Sequence, residues 1–262
     1  MQPSALHPFD PSLAVPFVQA MTGDTHGPIP GLDPGWSTLV TRTARHGMER
    51  AVDGQERGLH EVTAAFGQVA AAQHPTFAHE GLSLTSWEAQ IDRGAGMLMR
   101  PPARLLIEAG LDPIVGRRIA IRLDFTLGMM GGAYVPPRLV PQLATLLENR
   151  FERLVKRLVA AEMDPLPYMS LLIETVTYAN ERGLGIYETL GVIVPEAPES
   201  LPPGGQLVLY DRKRIDPDLR KRIEAAAKPP KEPGKLSRLL GRGKQSPLDD
   251  FPPRNGHIHV DQ

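Results

Sequence analysis

Pro136-Pro-Arg-Leu-Val-Pro-Gln-Leu-Ala-Thr-Leu-Leu-Glu-Asn-Arg-Phe-Glu-Arg-Leu-Val-Lys-Arg-Leu-Val-Ala-Ala-Glu-Met163, followed at once by Asp164-Pro165, carries the clearest structural signal in the chain. Leu139, Leu143, Leu146, Leu147, Leu154, Val155 and Leu158 recur at helical spacing, which predicts an amphipathic helix from the proline pair to Met163. Beyond Asp164-Pro165, Tyr168, Leu172, Val176 and Ala179 share one face, while Ser170, Glu174, Thr177 and Glu181 share the other. Two such helices joined by so short a link predict an antiparallel hairpin.

The Asp-Pro step recurs at Asp10, Asp33, Asp112, Asp164 and Asp216. An Asp at the N-cap accepts from a free amide of the first turn, and Pro at the next position gives up an N–H that had no intrahelical partner. The last four steps each predict a helix start. After Asp33-Pro34, Val40, Ala44, Met48, Val52, Leu59, Val62, Phe66 and Val69 keep one face through to Gln73. Gly47, Gly54, Gly58 and Gly67 each cost about 1 kcal/mol in a helix interior, so a kink or break near Asp53–Gly58 competes with one continuous helix. Either way the apolar stripe requires a partner helix. Thr85-Ser-Trp-Glu88 is a capping box that opens a further helix, with a stop or kink at Pro101-Pro102 and a restart that ends at Gly110.

Strand spacing is confined to Ile119, Ile121, Leu123, Phe125 and Leu127, with short runs at 192–194 and 206–210 as pairing candidates. Residues 1–32 hold six prolines and are read as an extended Pro-rich arm without a helix of useful length. The expected fold is therefore mainly α, a helical bundle or extended helical hairpins with at most a small accessory β element. Its expected domains are the arm 1–32, a helical core 33–191, an accessory segment 192–227 ending in a short helix, and a disordered basic tail 228–262.

Composition excludes several classes of function. The chain has 262 residues, 29 Lys+Arg against 30 Asp+Glu, and no cysteine. Near-neutral charge gives no molecule-wide field to gather nucleic acid, and sequence-specific nucleic-acid binding is not expected. Absence of thiols removes disulfides, thiolate nucleophiles and Cys-held metals. Neither a secretory signal nor a membrane-length apolar run is present, so the default location is the cytoplasm. No histidine falls between residues 80 and 256, which moves any imidazole-based site to the N-terminal third or the tail. No cofactor fingerprint appears, and no cofactor is expected.

Three constellations remain. Arg93, Arg100, Arg104, Arg117, Arg118 and Arg122 bracket a Gly128-Met-Met-Gly131-Gly132 stretch, and Arg is the side chain suited to bidentate recognition of carboxylate or phosphate. Nearby acidic residues offer intramolecular salt bridges as the plainer fate. His46, Glu49, Asp53, Glu56 and His60 share a helix face at metal-ligand spacing, although that face lies opposite the apolar stripe, where solvent is expected. In the tail, Lys235, Arg238, Arg242 and Lys244 surround Leu236, Leu239 and Leu240, a basic amphipathic turn suited to an acidic partner. The expected function is a non-catalytic scaffold or adaptor that self-associates through the long-helix stripe and recruits an acidic protein through the tail. The alternatives are an anion-binding protein or enzyme built on segment 93–138, and a metal-dependent enzyme built on the His46–His60 face.

Overall fold

The computed structural model describes residues 3–24, 27–53, 55–80, 83–84, 91–116 and 130–228. The described residues up to Ala227 form one compact unit. At its centre is a five-stranded sheet in the order β3-β4-β1-β2-β5. Its strands are β1 (Pro3–Phe9), β2 (Thr76–Glu80), β3 (Met130–Val135), β4 (Gly185–Leu190) and β5 (Leu207–Leu209). β1 runs antiparallel to both β2 and β4, β3 runs antiparallel to β4, and β5 runs parallel to β2. The mainly α expectation is thereby overturned, because a mixed sheet organises the unit and the fold is α/β.

Two strands escape the periodicity reading for physical reasons. β1 lies in the proline-rich arm, where prolines argue against a strand. Pro3 begins the strand, and Pro8 lies past the last β2 partner, Leu6↔Phe77, so it has a ladder neighbour only in β4. Prolines are tolerated at a strand's first residue or on an unpaired flank. In β4 every residue of Gly185-Ile-Tyr-Glu-Thr-Leu190 is buried, so no apolar–polar alternation survives to be read. Of the three sequence candidates, 206–210 contains β5, while 192–194 supplies only an isolated bridge from Val194 to Ala197. The candidate at 119–127 and the capping box at 85–88 lie outside the described residues.

The helices are α1 (Ala14–Thr22), α2 (Pro34–Val52), α3 (Glu56–Ala71), α4 (Arg93–Gly96), α5 (Pro102–Glu108), α6 (Pro113–Gly116), α7 (Val140–Asn149), α8 (Phe151–Ala160), α9 (Pro165–Arg182) and α10 (Pro217–Ala227). α1 corrects the expectation of a helix-free arm. Its Pro16 falls in the first turn, where an amide has no intrahelical acceptor to lose. Asp33 caps α2 through Gly35 and Trp36 amides at 2.9 and 3.0 Å, and Asp164 caps α9 through Leu166 at 3.0 Å. Residues 136–163 form two helices rather than one, with Arg150 as the last cap of α7 and the first of α8. Both pack against α9.

Side chains alternate across the sheet, and each face has its own core. Leu6, Phe77 and Ile186 enter a core filled by α7, α8 and α9. Phe9, Tyr134 and Tyr187 enter the other, with α1, α2, α3 and α5. In that second core Phe66 of α3 meets Phe9, Phe17 and Tyr187 edge-on, with ring centroids 5.1–5.6 Å apart. Each such pair adds about 0.5–1.5 kcal/mol beyond the area it buries.

The stretch 36–73 is two helices that fold back on each other, α2 against α3. Val40, Ala44, Val62, Phe66 and Val69 are buried within the chain. The stripe thus finds its partner intramolecularly, and the reason given for self-association through it falls away.

Candidate functional site

Arg100 leaves α4 and forms one antiparallel bridge with Tyr134 at the outer edge of β3. Its amide donates to the Tyr134 carbonyl at 2.7 Å, and the Tyr134 amide donates back at 2.9 Å. Residues paired in this way hold their side chains on the same side. Pro101-Pro102 then starts α5 at once, and Arg104 and Glu108, one turn apart, form an ion pair at 3.0 Å. Gly110, with φ of +107°, terminates that segment in a conformation open to glycine. At the far end of β3, Pro136-Pro137 redirects the chain and delivers Arg138 to the same place. The result is a cleft of about 390 Å³ lined by Arg100, Arg104, Glu108, Tyr134 and Arg138, with Pro11, Pro136 and Pro137 as its apolar walls.

The polar groups of this cleft divide into spent and unspent. Arg100 donates through Nη1 to the carbonyls of Met97 and Met99 at 2.8 and 2.6 Å, which fixes its guanidinium. Arg104 is held by Glu108. Among the described residues Arg138 makes no ion pair or hydrogen bond, and the Tyr134 hydroxyl makes no hydrogen bond either. Tyr134 is only 4% exposed, its ring packed against Phe9 at 5.6 Å. Its hydroxyl pKa is pushed up to about 12, chiefly by burial and then by Glu108, with Arg138 opposing. The hydroxyl is therefore a neutral donor at physiological pH.

In the cleft between α9 and residues 208–219, Arg214 and the Tyr210 hydroxyl are likewise without a side-chain partner among the described residues, so it is the acidic lining that sets that cleft apart. Between α9 and residues 208–219, about 400 Å³ is lined by Glu174, Glu181, Asp211 and Asp216, and Arg182 there lies over the Tyr178 ring at 3.8 Å. Beside α8, Arg150 binds buried Asp92 at 2.6 Å, Arg157 donates to the Ile91 carbonyl, and Arg222 forks onto Glu148 at 2.8 Å. Beside α2, Arg45 is committed to the Ala20 carbonyl at 2.6 and 2.9 Å.

Two polar groups are sealed inside the sheet. Glu188 accepts from Ser4 Oγ at 2.8 Å and from the Leu84 amide at 2.7 Å, with no exposed surface. On the opposite face His7 bridges Thr76 and Thr189 at 3.0 and 2.8 Å, and burial lowers its pKa to about 3. Neither lines a described cleft: Glu188 ties β4 to β1 and to Leu84, and His7 ties β1 to β2 and β4.

Of the sequence-predicted anion residues, Arg100 and Arg104 are brought together. Arg117, Arg118, Arg122 and Gly128 lie outside the described residues. Gly131 and Gly132 belong to strand β3, and Gly132 gives up its side chain to make room for Glu188 on the other face from the cleft: a Cβ there would stand 2.5 Å from Oε2. They form no anion loop. The metal-site stripe is broken by the turn between α2 and α3. His46 stays exposed near Glu61 at 3.7 Å, His60 is buried, and among the described residues no three candidate ligands, His46, Glu49, Asp53 and His60 included, gather to hold a metal. Of the Glu56 side chain nothing is described. Lys235, Leu236, Arg238, Leu239, Leu240, Arg242 and Lys244 lie outside the described residues. Among those residues no helix is long and apolar enough to cross a membrane. Tyr134 and Arg138 were not foreseen, because a β-bridge and a proline turn, not a periodic spacing, bring them beside Arg100.

The chain matches no known protein family, no curated protein and no solved structure.

Proposed function

We propose that this chain binds a small anion, a carboxylate or phosphate compound, in the cleft between α5 and the edge of β3. The observation that carries the reading is the coincidence of two donors with no protein partner among the described residues, the exposed Arg138 guanidinium and the Tyr134 hydroxyl, beside the anchored Arg100. Guanidinium supplies charge and a planar fork, and a neutral hydroxyl at the tip of a buried ring supplies direction. Arg104 remains tied to Glu108 and tunes the field. The scaffold reading rests on residues 235–244, and no feature described above favours it over the cleft.

The test is a thermal-shift and calorimetric screen of the intact chain with inorganic phosphate and short carboxylates. A bound anion raises the melting temperature as ligand exceeds its Kd, by mass action on the folded state. Arg138→Ala removes the shift. Equal shifts in the parent chain and R138A place the anion elsewhere and end the proposal.

A further inference from the structure

The cleft contains a carboxylate as well as three guanidinium groups, and a plain anion has no use for it. Glu108 Oε1 accepts from Arg104 Nε at 3.0 Å, while Oε2 makes no contact within hydrogen-bond reach among the described residues. Arg100 gives Nη1 to two backbone carbonyls, which fixes its orientation while its charge stays in the cleft. Also lining the space are the Arg138 cation, the Tyr134 hydroxyl and the open oxygen of Glu108. The charges of Glu108 and Arg138 both act on that hydroxyl, in opposite senses, so it lies within the field of each.

A positive and a negative group lining one cleft beside a neutral donor are the complement of a zwitterion. We infer that, if the anion-binding reading holds, the ligand is an α-amino carboxylate, with its carboxylate on Arg138 and Tyr134 and its ammonium on Glu108. Phosphate would gain from the arginines but leave the open Glu108 oxygen unpartnered and facing a like charge, which an ammonium would pair. The volume of about 390 Å³ suits a free amino acid, within the roughly 300–1,000 Å³ of small-molecule sites. Pro11, Pro136 and Pro137 offer ring surface and no backbone N–H to the rest of the ligand, which favours an apolar side chain.

The experiment is isothermal titration of the intact chain with leucine, N-acetyl-leucine, leucinamide and inorganic phosphate. Leucine is expected to bind about 2- to 5-fold more tightly than either capped form or phosphate, the loss that follows when one solvent-screened charge pair is removed. Glu108→Gln should erase the advantage of leucine over N-acetyl-leucine, and Arg138→Ala should weaken both. N-acetyl-leucine or phosphate binding as tightly as leucine, with E108Q unchanged, overturns the zwitterion and leaves the anion site standing. Failure of all four probes overturns both.

Discussion

Gly47 and Gly58 face each other across the α2–α3 seam so closely that a Cβ on Gly58 would stand 2.2 Å from the Gly47 carbonyl oxygen. The same Cβ would meet the Ala51 amide nitrogen at 2.7 Å. Both obstacles are backbone, so no rotamer change relieves them. Gly58→Ala gains about 1 kcal/mol of helix propensity, and overpacking costs about 1–3 kcal/mol and forces the helices apart. Contacts with backbone put the cost at the upper end, so a net loss of up to about 2 kcal/mol is expected as a lower urea midpoint. A gain in stability would mean the seam is looser than the geometry requires.

These glycines show where sequence reading stops. Helix starts were legible because the signal is local: an Asp side chain and a Pro ring act on the next two or three residues, and Asp33, Asp112, Asp164 and Asp216 all cap the segments they precede. Gly47 and Gly58 read as helix penalties because their benefit depends on a helix folding back. β1 was hidden by Pro3 and Pro8, whose tolerance depends on which flank is paired, a non-local fact. Of the cleft, Arg100 and Arg104 were visible as a local cluster. Tyr134 and Arg138 join them only through sheet pairing and a turn.

Glu188 and Gly132 should be energetically coupled. Glu188→Ala strands the Ser4 hydroxyl and the Leu84 amide, each buried donor costing about 1–3 kcal/mol when unpaired. Gly132→Ala drives a methyl into the same carboxylate. In the double variant that clash is gone, so the cost of G132A should largely vanish in the E188A background. Additive losses in denaturant titrations would show that the two positions do not share the space.

His7 makes stability depend on pH in a defined direction. Its folded pKa of about 3 lies below the ordinary 6.5, so the unfolded chain binds the extra proton between those values. Stability is complete above pH 6.5 and falls as pH drops, by up to about 1.4 kcal/mol per pH unit from this group. His74 is lowered too, chiefly by burial and then by Arg182, against the opposing pull of Asp10, and adds the same sign. His7→Gln should be less stable at pH 7.5 and flatter between pH 6.5 and 5, where carboxylates contribute least. An unchanged slope in H7Q would mean that His7 is not held neutral.

Arg222 fastens α10 to α7 and α8 by forking onto Glu148 at 2.8 Å while lying over the Phe151 ring at 3.9 Å. The hydrogen bond lowers the Glu148 pKa, but both side chains are largely solvated, 44% and 66% exposed. Screening therefore keeps the pair small, and Arg222→Ala should cost at most about 1 kcal/mol. Lysine cannot reproduce the fork, so R222K should recover little of it. Amide exchange confined to faster opening of residues 217–227 is the expected signature, and a global loss would point to a role in the core.

Tyr134 separates binding from folding. Its ring is packed against Phe9 and its hydroxyl makes no hydrogen bond among the described residues, so Tyr134→Phe keeps the buried surface and removes only the unspent donor. With no internal bond to break, Tm should move little, by the amount of a surface substitution, within about 0.5 kcal/mol. Ligand affinity should fall about 5- to 10-fold, the worth of one hydrogen bond to a charged acceptor, about 1–1.5 kcal/mol after competition with water. R138A should fall further because charge is lost as well. If Y134F instead melts early and binds normally, the hydroxyl serves the fold, and the cleft would have to hold its anion by the arginines alone.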